Sequence, residues 1–450
     1  MMRDMPPIHT PRDCANGDTP VAPSRQLHGP LVRLPRNVWA ASLASFCMDV
    51  SSEMVMNLLP LFLANVLGVK TALIGVIEGV AQATASLLNI VSGRFSDKHQ
   101  RRKWIAVAGY SISAVAKPLF YVATTWGVIA GARWADRAGK GIRTAPRDAL
   151  VADSITERER GLAFGFERAA DTAGATLGVI IALMVVWQGQ AQEITLSAAT
   201  FRTVVLYSLI PAGLAVLSLA IGAQDVTVTV PPVAATPAVR VLGKPFVIFM
   251  IIAGIFDLGN SSDTFLVLRS QERGISITGI LAMLVTFNFV YALVSTPAGK
   301  LSDRLGRRRM LIVAWLLYAL VYGGFAFATM SWHIWALYVV YGVHYGLSYG
   351  TAKAMIADLV PVAARGTAYG IYSAVLGILD LPASVIAGVL WQGVGSWPGF
   401  GAPAPFLFGG AVALLAAILM TVWTPEVTQP VSTDLSTPSR TCGAERRGNT

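Results

Sequence analysis

The chain has little charge for its length. Only 13% of its 450 residues are charged, whereas 54% are hydrophobic. A soluble domain carries roughly 25% charged residues to cover its surface. This composition therefore argues against a soluble protein and indicates that much of the chain contacts lipid.

Cysteine is also scarce, and we expect no cleaved signal peptide at the start. Cys14, Cys47 and Cys442 lie far apart, which gives neither a disulfide framework nor metal-ligand spacing. Residues 1–36 hold many Pro, Arg and polar residues and lack the apolar core of a signal peptide. Residues 1–36 and 425–450 are therefore predicted to be disordered cytoplasmic tails.

Long apolar stretches dominate the rest of the chain. Each approaches the roughly 20 residues that cross the hydrocarbon core of a bilayer. The twelve predicted spans are 38–66, 71–92, 104–125, 127–147, 162–187, 202–222, 245–268, 276–298, 310–330, 333–357, 367–391 and 404–423. They predict an all-α membrane protein, because a porin-type barrel would show short segments of alternating polarity.

Lysine and arginine collect in alternate loops. The rich loops are 94–103, 143–160, 240–244 and 300–309, together with Arg365, whereas the other side has Lys70, Arg202, Arg269 and Arg273. The positive-inside rule places the rich side in the cytoplasm, with both termini, in a cytoplasmic membrane protein. This topology explains the net charge of +10 without nucleic-acid binding.

The sequence repeats itself across its two halves. GRFSDKHQRRKWI (93–105) is similar to GKLSDRLGRRRMLI (299–312), 206 residues later, and ALVAD (149–153) is similar to AMIAD (354–358), 205 residues later. The predicted domains are two six-helix units, 37–222 and 245–424, joined by a cytoplasmic linker, 223–244. A parallel repeat of this kind is the plan of a transporter that binds its solute between the units.

The basic loop of each unit follows the pattern Gly-x-x-x-Asp-(Arg/Lys)-x-Gly-Arg-(Arg/Lys). The second unit matches it at Gly299, Asp303, Arg304, Gly306, Arg307 and Arg308. The first matches at Gly93, Asp97, Lys98, Arg101 and Arg102, with Gln100 where the pattern has its second Gly. With this duplicated motif the chain resembles the major facilitator superfamily. The resemblance implies a fold of twelve transmembrane helices, a transport function and no enzymatic activity.

The duplicated motif also has a physical interpretation. Its first Gly lets two helices approach closely, and its Asp, at a helix end, can pair with Arg or with backbone N–H groups. We expect these pairs to form a cytoplasmic latch that breaks when the units move. Gln100 weakens the prediction of a tight turn in the first unit.

Ionisable side chains inside the spans are candidate functional groups, because each costs on the order of 3 kcal/mol near the bilayer centre. The first span carries Asp49 and Glu53 on one face, and the seventh carries Asp257, Asn260 and Asp263. The resemblance implies that spans 1, 4, 7 and 10 line a central cavity. Close carboxylates in such a cavity favour proton binding, and permanent ion pairing with arginines of span 4 remains the alternative.

The fourth span carries a stripe of charge within RWADRAGKGIRTAPRDALVAD (133–153). Its charged positions follow the spacing of one helix face. We expect the upper part, Arg133, Asp136 and Arg137, to contact solute or couple protons, with Asp171 as a partner of Arg137 or Lys140. The lower part, from Arg143, is expected at the cytoplasmic mouth.

Gly139-Lys140-Gly141, in the same span, is not a phosphate-binding loop. Such a loop needs a Gly five positions before the Gly of the Gly-Lys pair and Ser or Thr after the Lys, where this chain has Trp134 and Gly141. The glycines are expected to permit close helix packing. Without a nucleotide motif, the energy for transport is expected from an ion gradient.

These features predict a monomeric secondary transporter without a cofactor, moving a charged or zwitterionic small molecule that we expect to be anionic. We expect proton-coupled efflux, slightly ahead of proton-coupled uptake as the alternative. The resembled family's exporters often carry Gly-x-x-x-Gly-Pro, and here Gly174 and Gly178 are not followed by Pro. A membrane sensor with a transporter-like shell is a further alternative, although it would need a folded cytoplasmic domain.

Overall fold

The computed structural model of the chain describes residues 34–99, 101–156, 160–226, 242–361 and 364–423. Nearly all of the predicted tails and most of the predicted linker lie outside these residues, as does Gln100. The described helices are α1 (Arg36–Met56), α2 (Leu59–Asn65), α3 (Thr71–His99), α4 (Arg102–Val122), α5 (Trp126–Asp153), α6 (Arg160–Gln190), α7 (Ala198–Gly222), α8 (Gly243–Gly259), α9 (Thr264–Glu272), α10 (Ile277–Leu305), α11 (Arg307–Phe327), α12 (Ser331–Leu359), α13 (Arg365–Gln392) and α14 (Pro403–Val422).

Ten segments of the described chain are long and apolar enough to cross a membrane, and α1 with α2 and α8 with α9 each count as one. Helices α5 and α12 fall outside this criterion. α5 carries the predicted stripe of charge, and α12 is rich in Tyr, Trp and His, which lower its mean hydropathy. The prediction of an all-helical membrane protein is confirmed at this level.

Two of the predicted spans are broken, which the apolar pattern did not indicate. The first span is interrupted at Asn57 and Leu58, just before Pro60, whose ring nitrogen cannot donate a helix hydrogen bond. The seventh is interrupted between Asn260 and Asp263, where the Ser262 hydroxyl accepts a hydrogen bond from the Thr264 backbone N–H at 3.3 Å. Asn and Ser side chains compete with helix hydrogen bonds in this way.

The helices form two groups, α1–α7 and α8–α14, which share a core at one end only. The largest buried cluster combines residues of both groups, such as Phe62, Phe201, Phe265 and Phe325. Two further clusters are confined to one group each: 34–223 in the first group and 242–420 in the second. The separate clusters lie at the end that carries the basic loops, so the two groups pack together at the opposite end.

Helices α3 and α13 cross closely between the groups because a glycine of each helix lies against the backbone of the other. A Cβ atom added at Gly79 would lie 2.8 Å from the Cα of Leu381, and one at Gly388 would lie 2.7 Å from the Cα of Ala72. Within α4 and α5, a Cβ at Gly139 would lie 2.6 Å from the carbonyl oxygen of Gly109. The predicted packing role of the glycines in α5 is thereby confirmed.

Candidate functional site

A cavity of about 280 Å³ lies between the two helix groups, which we call the central cavity. It is adjacent to both helix breaks, because Asn57, Pro60 and the segment 260–264 line it. Its acidic and basic lining residues are Glu53, Glu78, Arg133, Arg137, Asp263 and Asp380. The cavity thus combines charged side chains from both groups.

The structure places only some of the predicted site residues at this cavity. Glu53, Arg133, Arg137, Asn260 and Asp263 line it. Its lining does not include four others, which are Asp49, Asp136, Asp171 and Asp257. The predicted set is therefore divided between the cavity and the packed interior around it.

Arg133, the first charge of the α5 stripe, is held by Glu78 of α3. Its Nε donates to Glu78 Oε1 at 3.1 Å and its Nη2 donates to Oε2 at 2.5 Å. Both residues are buried, with 5% and 4% of their surfaces exposed. A two-pronged arginine–carboxylate contact of this kind is strong and fixes orientation. The pair is neutral as a whole, and sequence reasoning did not identify Glu78 as the partner.

Asp136 faces away from the cavity towards Lys117 of α4. Lys117 Nζ lies 3.4 Å from Asp136 Oδ1 and donates to the Ser52 hydroxyl at 3.1 Å. Arg133 Nη1 lies 4.0 Å from Asp136 Oδ2, which joins the two ion pairs. Since an unpaired charge is costly to bury, the four groups stabilise one another. They form a buried network behind the cavity wall.

Arg137 differs from the other cations of the α5 stripe. It lines the central cavity, and its Nε has no hydrogen-bond partner within the described part of the chain. A guanidinium group offers five N–H donors in a fixed fork. Arg137 therefore brings a positive charge to the cavity wall with one of these donors unpaired.

The lower cations of α5 are built into the helix bundle. Arg143 is 4% exposed, donates to the Ser113 hydroxyl at 2.6 Å and lies 4.8 Å from the ring centroid of Tyr110. Arg147 lies 2.8 Å from Asp148 and 2.9 Å from Glu167. Both arginines are therefore held by packing, hydrogen bonds and ion pairs between helices.

Asp171 of α6 does not make its direct contacts with Arg137 or Lys140, the partners predicted from the sequence. It accepts a hydrogen bond from Ser45 at 2.9 Å and one from Arg168 at 3.0 Å. Lys140 acts on it only as a nearby charge. Asp171 is thus part of a cluster that joins α1 and α6.

The second helix group contributes carboxylates and phenols to the site. Asp263 accepts a hydrogen bond from the Tyr341 hydroxyl at 2.7 Å, and the Tyr318 hydroxyl donates to Asn260 Oδ1 at 3.1 Å. Asp257 is 5% exposed, and the backbone N–H of Asn260 donates to the backbone carbonyl oxygen of Asp257 at 2.9 Å. Asn260, which lines the cavity, is therefore one turn from the buried carboxyl group.

The ionisable lining of the cavity carries an excess of negative charge. Four carboxylates face two guanidinium groups, which gives a formal charge of −2 when all are ionised. The charges of Arg133 and Glu78 compensate each other. The positive charge of Arg137 then remains beside three carboxylates, Glu53, Asp263 and Asp380. Asp380 interacts electrostatically with both Asp263 and Arg137. The cavity can therefore offer separate sites to an anionic and a cationic group.

The duplicated basic motif forms the same ion-pair arrangement in both helix groups. Arg102 lies 3.6 Å from Asp97 and 2.8 Å from Asp153. In the second group Arg307 pairs with Asp303 and lies 3.5 Å from Asp358. Arg102, rather than the predicted Arg101, makes the contacts of the first group. The partners Asp153 and Asp358 are the last residues of the repeats ALVAD and AMIAD.

The first glycine of the motif is closely packed in the first helix group but not in the second. A Cβ at Gly93 would lie 3.2 Å from the Ala145 Cβ, whereas one at Gly299 would meet nothing within 4 Å. Between α10 and α11 the chain turns at Gly306 alone, with φ at +92°. Between α3 and α4 two residues intervene, which explains the shift from Arg101 to Arg102.

Comparison with known proteins gives consistent matches. The sequence profile described as Major Facilitator Superfamily matches residues 41–256 and 246–444. An uncharacterized MFS-type transporter of Methanocaldococcus jannaschii is 32% identical over 393 residues, covering 86% of this chain and 94% of the relative. A homolog of a multi-drug resistance efflux pump in Lactococcus lactis is 28% identical over 41% of this chain and 46% of its own length.

The fold is also similar to solved transporter structures. The crystal structure of a D-xylose-proton symporter superposes with a TM-score of 0.66 at 19% sequence identity. The match covers 87% of this chain and 97% of the symporter. At this identity the similarity concerns the fold alone.

Proposed function

The chain belongs to the major facilitator superfamily, and we propose that it is a secondary active transporter for a small charged solute. It moves this solute across the cytoplasmic membrane by alternating access, through twelve membrane spans in two six-helix units, 37–222 and 245–424, with both termini in the cytoplasm. The single observation that carries this proposal is the charged cavity between two helix groups that share a core at one end only.

The position of the basic loops supports an inward-open state. The ion-pair clusters around Arg102 and Arg307 lie at the end where the two groups have separate cores. The positive-inside rule assigns such basic loops to the cytoplasm. The cavity is therefore accessible from the cytoplasm in this state, and closure of that end with opening of the other completes the cycle.

Helices α5 and α12 supply the two further spans. They have 28 and 29 residues, which exceeds the roughly 20 needed to cross a bilayer. Polar groups at membrane depth are tolerated when they face the interior and pair with one another. Most of the charged side chains of α5 meet this condition, because they pair with Glu78, Lys117 and Glu167 of neighbouring helices.

The carboxylates of the cavity support proton coupling, and one relative supports efflux. Four carboxylates line the cavity, and close carboxyl groups with little water favour proton binding. A relative named as an efflux pump homolog favours export. Uptake remains the second candidate, because Gly174 and Gly178 of α6 lack the Pro that follows in the exporters' motif.

The solute is a zwitterion or a cation of small size rather than a simple anion. Glu53, Asp263 and Asp380 suit a positively charged group, and Arg137 suits a negatively charged one. The solute binds to a monomer, because both sides of the cavity come from one chain.

A substrate screen tests this function. Purified protein is heated with sets of amino acids, organic cations and organic anions, since a bound solute raises the melting temperature. The compounds that stabilise the protein are then tested for proton-gradient-driven transport in proteoliposomes.

Arg137→Ala should abolish stabilisation by zwitterions, and Arg202→Ala, outside the cavity lining, is the matched control. If no compound stabilises the protein and none is transported, the proposal is wrong.

A further inference from the structure

The second helix break consists of consecutive residues whose side chains all contain an oxygen atom. Its sequence is Asn-Ser-Ser-Asp-Thr, residues 260–264, and every one of these residues lines the central cavity. Hard cations bind to carboxylate, carbonyl and hydroxyl oxygens of this kind. The break therefore offers a small cation a set of oxygen ligands at the cavity wall.

The hydroxyl group of Ser261 is buried in this break without a partner. Ser261 is 6% exposed, and its hydroxyl oxygen has no hydrogen-bond partner within the described part of the chain. A buried polar group without a partner is destabilising, so a ligand that contacts this oxygen removes that cost. Beside it, Asp263 accepts a hydrogen bond from Tyr341 at Oδ1, and an ionised carboxylate has further acceptor positions on both oxygens.

The ends of two broken helices direct negative charge towards the same cavity. α1 ends immediately before Asn57, α8 ends immediately before Asn260, and both asparagines line the cavity. The carbonyl end of a helix carries roughly half an elementary negative charge. In transporters with broken helices, such ends and the unwound carbonyl groups coordinate small cations. The two helix ends thus add their negative charge to the carboxylates of Glu53 and Asp263.

The first helix group supplies its own cation at the equivalent place. Ser51-Ser52-Glu53 of α1 recurs as Ser261-Ser262-Asp263 in the second group. In the first group Lys117 Nζ donates to the Ser52 hydroxyl at 3.1 Å and lies 3.4 Å from Asp136. An ammonium group of the chain itself therefore compensates the polar and acidic side chains there.

The second helix group has neutral phenols where the first has these charges. The offset of 205 residues between ALVAD and AMIAD also relates Arg102 to Arg307. At this offset the positions of Lys117, Arg133 and Asp136 are occupied by three buried tyrosines, Tyr322, Tyr338 and Tyr341. Asp263 therefore meets the hydroxyl group of a tyrosine where the first group has an ammonium group. A cation from solution fits the place that Lys117 occupies in the other repeat.

We propose that the two helix breaks form a binding site for a monovalent alkali cation. Its ligands are oxygens of Asn260, Ser261 and Asp263 on one side and of Glu53 and Asn57 on the other. Within the described residues, no group of three or more His, Cys, Asp and Glu side chains is arranged to hold a metal, so neutral oxygens and single carboxylates define the site. Binding of the ion changes the formal charge of the acidic and basic lining from −2 to −1.

Thermal unfolding of the purified protein tests this site. Sodium chloride is titrated at constant ionic strength against N-methylglucamine chloride, because a bound ion raises the melting temperature saturably. Potassium chloride and methylammonium chloride are titrated in the same way. Ser261→Ala, Asp263→Asn and Glu53→Gln each remove one ligand. Ser270→Ala is the matched control, since Ser270 is a buried serine of α9 outside the cavity lining whose hydroxyl donates to the Leu266 carbonyl oxygen at 2.7 Å.

The melting temperature of the wild type should rise to a plateau with sodium. The half-saturating concentration should increase about fivefold in Ser261→Ala, which loses a neutral ligand. It should increase about tenfold in Asp263→Asn and in Glu53→Gln, which lose a charged one, and it should not change in Ser270→Ala. Saturable stabilisation by potassium as well would equally support an alkali-ion site. Because Glu53 belongs to the opposite helix group, Glu53→Gln still tests the site if a variant of the second break does not fold.

Three results would overturn the ion site. The first is stabilisation that rises without a plateau and equally for all salts, which is an effect of the salt in general. The second is a sodium response of all three ligand variants that equals the wild-type response. The third is saturable stabilisation by methylammonium and none by sodium, which would show that this place receives the amino group of the solute. Sodium NMR line broadening gives the same comparison without unfolding the protein.

Solute binding separates this inference from the proposed function. Ion binding does not depend on transport, whereas a role of the ion in transport rests on the proposed function. With a solute from the substrate screen, sodium and solute should each strengthen the binding of the other by the same factor. Equal solute affinity with and without sodium would refute that role. Absence of any transport would refute the proposed function and leave the sodium response to decide the ion site alone.

Discussion

The pair of Arg133 and Glu78 gives the most quantitative prediction. Both side chains are almost fully buried and make two hydrogen bonds to each other. Removing one partner of such a pair costs about 3–5 kcal/mol, because the other charge stays buried without compensation. Glu78→Gln should cost about 3 kcal/mol, since Asp136 still lies 4.0 Å from Arg133. Arg133→Gln should cost about 4 kcal/mol, because Glu78 loses its ion-pair partner.

The double variant Arg133→Gln/Glu78→Gln is the critical measurement. It leaves no uncompensated charge at this position, so it should be more stable than the sum of the single effects by about 2 kcal/mol. Reversible unfolding in mixed detergent micelles, followed by tryptophan fluorescence, gives the free energies. If the single effects add within about 0.5 kcal/mol, the two residues are independent and the network is wrong.

Three further predictions concern packing, gating and recognition. Gly79→Ala should destabilise the protein by about 1–3 kcal/mol, because the new Cβ would lie 2.8 Å from the Leu381 Cα, whereas Gly131→Ala, with nothing within 4 Å, should not. Thermal unfolding of both variants measures this difference. Asp303→Asn should lower the rate of solute exchange far more than it lowers solute affinity, which exchange and binding assays separate. Arg137→Lys should weaken zwitterion binding about tenfold, because the guanidinium fork is lost, and calorimetry measures that affinity.

Each of these predictions has a result that would contradict it. Equal melting temperatures for the two alanine variants would show that α3 and α13 are less tightly packed than described. A normal exchange rate in Asp303→Asn would remove the duplicated motif from the gating step. Unchanged affinity in Arg137→Lys would mean that the solute does not contact this guanidinium group.

The family and the helical membrane fold could be predicted from the sequence because their signals are local and repeated. Apolar runs mark the spans, and the motif around Asp97 recurs around Asp303. The two helix breaks were missed although Pro60 and the run from Asn260 to Asp263 carry a local signal. Apolar residues on both sides of each break hide it in a hydropathy pattern.

The partners of the charged residues could not be predicted, because they depend on how distant helices face each other. Arg133 and Glu78 are 55 positions apart, and neither neighbouring sequence indicates the other. Asp49 and Glu53 were expected to share a role, since they lie one turn apart on α1. The structure places Glu53 at the cavity and Asp49 against α6, because different helices cover successive turns.

The expectation of an anionic solute illustrates the same difficulty. It rested on the density of cations in α5, which the sequence could count but not pair. The structure pairs two of these cations, Arg133 with Glu78 and Arg147 with Glu167. The α5 aspartate Asp136 pairs with Lys117 of α4. With these charges compensated, the cavity has more carboxylates than free cations. The proposal of a zwitterion or a cation follows from that balance.

The repeats did contain one signal that sequence reasoning left unused. ALVAD and AMIAD each end in an aspartate, Asp153 and Asp358, and these residues contact Arg102 and Arg307. A repeated charged residue near a repeated basic loop is a candidate ion-pair partner. The repeat of ALVAD as AMIAD therefore predicts that Asp153 and Asp358 are the ion-pair partners of the basic loops. The distances between these residues could be known only from the structure.

Distances between spin labels test alternating access most directly. In a background with Cys14, Cys47 and Cys442 replaced by Ser, one pair of labels is placed at His99 and Leu305, where α3 and α10 end at the basic side. A second pair reports the opposite side, at Thr195 and Ser331. On a change of pH or on addition of a transported solute, the first distance should shorten while the second lengthens. If both distances stay constant, or change in the same direction, the protein does not expose its cavity to the two sides in turn.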